Sequence, residues 1–141
     1  MKKIHFSFSS KIELINIIEQ SVEIFLKNIC KIEEDSAYWF MVGFHELTVN
    51  AYLHGNKKNP DLPVEVEINY KNRLLTAKIT DRGSGFDARS LPDPTLPENL
   101  LKPSGRGILF AKKSCDKVEF LKKESGFTVI ISKKVKEVSD A

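Results

Sequence analysis

The sequence predicts an α+β fold: a two-layer sandwich in which helices cover one face of a mainly antiparallel sheet. Three observations carry that expectation. Two stretches between residues 10 and 55 repeat apolar side chains at helical spacing, whereas the segments around 4–8, 64–68, 75–79, 118–120 and 127–131 alternate apolar with polar residues. The later strands fall in adjacent hairpin pairs instead of alternating with helices, which separates this class from the parallel α/β folds. Finally, a chain of 141 residues allows one domain at roughly 100–200 residues per domain.

Ile4, Phe6 and Phe8 alternate with His5 and Ser7 and predict a first, half-buried strand. Ser10-Lys11-Ile12-Glu13 has the spacing of a capping box, and Ile12, Ile15, Ile18, Val22, Phe25 and Ile29 follow on one helical stripe. A second helix is expected from about Asp35 or Ser36, with Phe40, Phe44, Leu47 and Ala51 on its apolar face and Gly55 as its C-terminal cap. After a polar loop, Val64, Val66 and Ile68 predict a strand that turns at Lys71-Asn72 into a second one through Leu75, Ala77 and Ile79, ending on Asp81.

Residues 82–105 hold four of the six prolines, and the segment is far longer than an ordinary connection of about 4–6 residues. Gly107 to Lys113 predicts a short helix. Val118 and Phe120, then Phe127, Val129 and Ile131, predict a closing hairpin turned at Glu124-Ser125-Gly126, with a frayed tail from Ser132 onward. Residues 1–134 are expected to form the domain and 135–141 the tail.

Composition excludes several classes. Hydrophobic residues make up 41% and charged residues 29% of the chain, which argues against disorder. The 22 Lys and Arg exceed the 19 Asp and Glu by only three and are spread along the chain, so charge gives no sign of a nucleic-acid partner. The longest uncharged apolar run, Ala37 to Phe44, is far short of the ~20 residues of a membrane helix. Cys30 and Cys115 lack metal or redox spacing and predict two reduced, structural thiols in a cytoplasmic protein.

Three constellations can carry chemistry. Glu46, Asn50 and His54 recur at four-residue spacing on the second helix and so share a face. An amide oxygen there suits Mg²⁺, and a carboxylate one turn away can take a proton; ordinary buried hydrogen bonding would equally explain the pattern. Asp81-Arg82-Gly83-Ser84-Gly85 places a carboxylate at a strand end beside glycines that permit close backbone approach. It can accept a hydrogen bond from an exocyclic amine such as that of adenine, or it can be a simple Asp-Gly turn. Ser104-Gly105-Arg106-Gly107 opens a helix, whose N-terminal amides favour an anion, though a plain loop-to-helix joint remains open. Neither the Walker nor the Rossmann glycine pattern is met.

Taken in order, Glu-x-x-x-Asn on a helix, Asp-x-Gly-x-Gly after a strand and Gly-x-Gly before a helix resemble the N, G1 and G2 boxes of the GHKL ATPases, the superfamily of gyrase, Hsp90, histidine kinases and MutL. The segments FHELTVNAYLHGN at 44–56, ITDRGSGFD at 79–87, DPTLPENLLKPSGRGI at 93–108 and CDKVEF at 115–120 resemble in particular the anti-sigma-factor serine kinases of the RsbW and SpoIIAB type. The resemblance implies the Bergerat ATP-binding fold, with ATP and Mg²⁺ as ligands. It implies that Asn50 ligates Mg²⁺, that Glu46 is the catalytic base or orients the nucleophile, and that His54 lies near the nucleotide. By the same resemblance Asp81 binds the adenine amine, Gly83 and Gly85 shape its pocket, Gly105, Arg106 and Gly107 meet the phosphates, and residues 87–104 form the ATP lid. The implied partners are a STAS-domain anti-sigma antagonist, phosphorylated on serine, a competing sigma factor and a second copy of the chain. An ATP-dependent binding module without kinase activity is the alternative. Phe44-His45, where relatives often carry small residues, departs from the pattern.

Overall fold

The computed structural model describes residues 1–83 and 106–140, with backbone only for residues 106–108 and 140. Strand β1 (Lys2–Ser9) leads into helix α1 (Ile12–Ile24), which ends in a wide π-type turn, Phe25–Ile29. Helix α2 (Glu34–Asn50) ends in another, Ala51–Gly55. Strands β2 (Pro63–Lys71) and β3 (Leu74–Asp81) form a hairpin, helix α3 (Arg106–Ser114) follows, and β4 (Lys117–Lys123) and β5 (Gly126–Lys134) form the second hairpin. The strands make one sheet in the order β1-β2-β3-β5-β4, and every pairing is antiparallel.

Alternation decides which sheet face is covered. Val64, Val66, Ile68 and Tyr70 of β2, Leu75, Ala77, Ile79 and Asp81 of β3, and Phe127, Val129 and Ile131 of β5 are buried. Against them lie Ile15, Ile18 and Val22 of α1 and the expected Phe40, Phe44, Leu47 and Ala51 stripe. Removing such apolar surface from water supplies roughly 25 cal/mol per Å² and so holds the layers together. The rings of Phe40 and Phe44 stack at 6.5 Å. Helix α3 packs on α2 at Gly43, where an added Cβ would meet Cys115 Sγ and Ser114 Oγ at 2.9 Å.

Three local expectations are corrected. Ser10 does not cap α1: Lys11 occupies the cap position without a side-chain bond, and the buried Ser10 hydroxyl instead donates to Leu62 O at 2.8 Å. The α1 stripe does not run from Ile12 to Ile29, which are 44% and 52% exposed. In the wide turn Cys30 N donates to Phe25 O, five residues back, so Leu26 and Cys30 enter the core in place of Ile29. The first hairpin turns at Asn72-Arg73, both left-handed with φ of 51° and 62°, one residue later than expected.

The tail is not frayed. Ser132 to Lys134 belong to β5, Val135 is buried, and Glu137 bridges to Ile32 and accepts a 2.6 Å hydrogen bond from the Tyr70 hydroxyl. Its anchoring comes from a partner 67 residues away, which local polarity does not reveal. Both cysteines are free and buried, and burial pushes the Cys30 thiol up to about 11.

Left-handed lysines follow both wide turns. Lys31 has φ 58°, and Lys57 and Lys58 have φ 52° and 61°. In each case the chain closes with backbone bonds spanning five and then six residues: Cys30 N to Phe25 O and Ile32 N to Leu26 O, Asn56 N to Ala51 O and Lys58 N to Tyr52 O.

Candidate functional site

Asp81 sits where β3 leaves the sheet, on the face the helices cover, and is 6% exposed. Burial pushes its carboxyl pKa above the usual value, and the Gly83 amide, donating to Oδ1 at 2.7 Å, partly offsets this. Among the described residues no donor stands on Oδ2. A buried carboxylate with an acceptor oxygen still available is suited to a ligand's N–H donor.

What lies against that carboxylate is backbone. A Cβ on Gly55 would come within 2.8 Å of all three atoms of the Asp81 carboxyl group. A Cβ on Gly83 would come within 3.0 Å of Gly55 O, C and Cα. Gly126 packs against the main chain of the same residue, where a Cβ would run into the Asp81 backbone carbonyl. Gly55 is therefore not the left-handed cap its position suggested: it lies inside the wide turn, its φ is not among the positive ones, and Asn56 is the cap residue. Its lack of a side chain serves the approach of helix to carboxylate.

Asn56, which carries no expected role, is buried beside them. It bonds Arg82 N, Ser10 Oγ and Pro63 O. The available signal was its place after Gly55 at the exit of a long helix, and its partners lie 26 and 46 residues away.

Glu46 and Asn50 are half-buried on α2, one turn apart. Glu46 also borders a groove of about 490 Å³ between α1 and α2, lined by Asn16, Glu19 and Glu23 among others. Across it His45 Nδ1 meets Glu19 Oε1 at 2.5 Å. His54 is exposed, on the wide turn that takes it out of the α-helical phase of Glu46 and Asn50. Gly85, Gly105 and the expected lid at 87–104 lie outside the described residues, while Arg106 and Gly107 form the first turn of α3.

The glycine cradle around Asp81 fits the edge of a purine base, because a flat ring system needs a close backbone floor and one fixed acceptor. For Mg²⁺ the available donor is the Asn50 amide oxygen, a hard ligand of the right kind. A metal held by one protein oxygen and otherwise by phosphates and water is the usual arrangement for nucleotide-bound Mg²⁺.

The chain matches the model of the histidine kinase-like ATPase domain over residues 8–133. It is 31% identical over 93 residues to the anti-sigma F factor of Bacillus cytotoxicus, covering 62% of each protein, so it spans under two thirds of that relative's length. In structure it is similar to the RsbU and RsbW domains of a Mycobacterium tuberculosis protein, with TM-score 0.70, 13% identity, and coverage of 96% of this chain and 33% of that one. A blue-light activated histidine kinase of Erythrobacter litoralis gives TM-score 0.57 at 13% identity, covering 78% of this chain and 34% of its own. These two likenesses concern the fold, the five-stranded sheet with helices on one face.

Proposed function

The chain belongs to the histidine kinase-like ATPase domain family, and from that premise we propose that it is an anti-sigma-factor-type serine/threonine protein kinase. In this reading it binds ATP with Mg²⁺ and phosphorylates a STAS-domain antagonist in the cytoplasm. The observation that carries the nucleotide is the buried Asp81 carboxylate held against Gly55 and Gly83. The similarity to an anti-sigma F factor supports the choice of partner.

In this reading the site runs along helix α2 and its wide turn. Gly55 floors the base pocket, Asn50 lies five residues earlier across the wide turn, and Glu46 lies a further four residues back, about 6 Å along the α-helix axis at 1.5 Å per residue. An extended nucleotide lying along the helix would meet base acceptor, metal ligand and proton acceptor in that sequence. Asp81 Oδ2 accepts from the adenine amine, and the first turn of α3 offers backbone amides to the phosphates. Asn50 holds Mg²⁺, which when bound neutralises charge on the phosphate oxygens.

Glu46 acts on the acceptor. As the serine oxygen bonds to the γ-phosphorus and the bond to the β,γ-bridging oxygen breaks, Glu46 takes the hydroxyl proton and ADP leaves. The unphosphorylated antagonist and a sigma factor compete for the same protein, which acts as a homodimer.

The test is incubation with labelled ATP, Mg²⁺ and candidate STAS-domain proteins. Label on serine is expected. Glu46→Gln should keep ATP affinity while transfer falls by roughly 10²–10⁴-fold, the range typical of general-base catalysis. If no STAS protein is labelled yet one binds only with ATP present, the chain is a nucleotide-dependent binding module and the kinase reading fails.

A further inference from the structure

Asn56 is a polar side chain that the proposed chemistry does not use, yet it is 1% exposed. A buried amide must be bonded, and this one is nearly saturated. Its two Nδ2 protons go to Ser10 Oγ and Pro63 O, both at 2.9 Å, with Leu62 O further off at 3.4 Å. Its Oδ1 accepts the Arg82 amide at 2.7 Å. A flipped amide would set NH₂ against the Arg82 N–H and oxygen against the Pro63 carbonyl, so the network admits one orientation.

The place where that orientation acts is specific. The pairing of β3 with β2 ends at Thr80 and Glu65, and the Asp81 carbonyl faces Gly126 on the β5 side, so the Arg82 amide points toward the β2 side beyond the last paired residues and has no strand partner there. Asn56 supplies the acceptor instead. The next amide, Gly83 N, turns back onto Asp81 Oδ1. Two successive amides beyond the strand are therefore held by side chains, Asn56 and Asp81, and the first bond sets the path of the second. Asn56 also follows Gly55 directly, so one junction fixes both the floor of the pocket and the turn that aims its carboxylate.

We propose that Asn56 is the positioning residue of the base pocket: by holding the Arg82 amide it fixes the Asp81–Gly83 turn and so aims Asp81 at the exocyclic amine of an adenine nucleotide. This rests on the reading of Asp81 as the adenine acceptor. A residue that only tied β1, β2 and the helix exit together would affect stability and leave base selection alone. Asn56 also controls which base is preferred.

The experiment compares ATP with ITP, whose base carries an oxygen where adenine carries the amine, on the full chain with Mg²⁺ by calorimetry. Wild type should prefer ATP by roughly tenfold or more, the value of one hydrogen bond to a charged acceptor. Asn56→Ala should bring the ratio to within about threefold. Asn56→Asp keeps an oxygen for the Arg82 amide but faces the Pro63 carbonyl with a second one. It should melt earlier than wild type and retain most of the preference. A folded Asn56→Ala protein with the wild-type ratio overturns the proposal, as does loss of the ratio in Asn56→Asp alone.

If neither variant folds, amide hydrogen exchange of the wild type decides. The Arg82 amide should exchange at least roughly a hundredfold more slowly than a free peptide, and exchange at the free rate overturns the proposal. The two ideas fail differently. A wild type that does not distinguish ATP from ITP removes the Asp81 reading and this proposal with it, whereas preference retained in Asn56→Ala removes only the role of Asn56.

Discussion

One methyl group at Gly55 should separate nucleotide binding from folding. In Gly55→Ala the new Cβ falls within 2.8 Å of Asp81 Cγ, Oδ1 and Oδ2, where ordinary contacts lie near 3.5–4.0 Å. The carboxyl group must retreat by about an ångström, yet Oδ1 is tethered to the Gly83 amide and the residue is buried. Overpacking of this kind typically costs about 1–3 kcal/mol. Alanine is favoured over glycine in a helical turn by about 0.5–1 kcal/mol, so the net loss of stability should lie between about zero and 2.5 kcal/mol. Binding has no such compensation. A misaimed Asp81 forfeits a hydrogen bond of about 1.5–3 kcal/mol, roughly tenfold to over a hundredfold in ATP affinity. Calorimetry with ATP and a thermal melt on the same sample measure both. A folded Gly55→Ala protein with wild-type ATP affinity would show that the glycine–carboxylate contact does not shape the base pocket.

Three further outcomes are expected. Burial raises the Asp81 carboxyl pKa, so the folded state holds that proton more tightly than the unfolded one; its contribution favours folding below the ordinary carboxylate value and is lost as pH rises through the raised one. Asp81→Asn should therefore raise the melting temperature near neutral pH, by about 1 kcal/mol of stability, and the gain should shrink on acidification; a lower melting temperature at neutral pH contradicts the burial argument. Asn50→Ala should weaken Mg²⁺-ATP binding about tenfold while changing metal-free ATP binding little, and equal losses would remove Asn50 as the metal ligand. Phe44→Ala, at a fully buried position stacked on Phe40, should cost about 3–5 kcal/mol in denaturant unfolding; a loss under about 1 kcal/mol would mean the core collapses around the gap.

The strands were legible because alternation is a local property with a fixed period. Val64, Val66 and Ile68, or Leu75, Ala77 and Ile79, point to the covered face wherever their partners come from. The Phe40, Phe44, Leu47 and Ala51 stripe was legible for the same reason, since α2 stays α-helical to Asn50. The helix exits were not. A reading at 3.6 residues per turn has no means of foreseeing a wide turn, and so it placed Ile29 in the core where Cys30 lies. Ser10 has the spacing of a cap and is used elsewhere because its partners, Leu62 and Asn56, are 52 and 46 residues distant. Within the candidate site, Asp81 announced itself by ending a strand before glycines. Asn56 had no periodic signature, and its role exists only once three separated segments have met.

The two helix exits also show how a small set of residue types was distributed under competing demands. Both exits contain a left-handed position, at Lys31 and at Lys57, where glycine is the residue with least strain. Neither has one. The second exit does contain a glycine, but two residues early, at 55, where the backbone is not left-handed and where Asp81 tolerates no side chain. The first exit has no glycine at all. The placement follows the Asp81 side chain and not the helix, which makes Lys31 an unused opportunity for a protein engineer. Lys31→Gly relieves a left-handed side chain at about 1–2 kcal/mol and gives back about 0.5–1 kcal/mol through the more flexible unfolded chain, leaving a modestly hardier protein whose ligand site is unaltered.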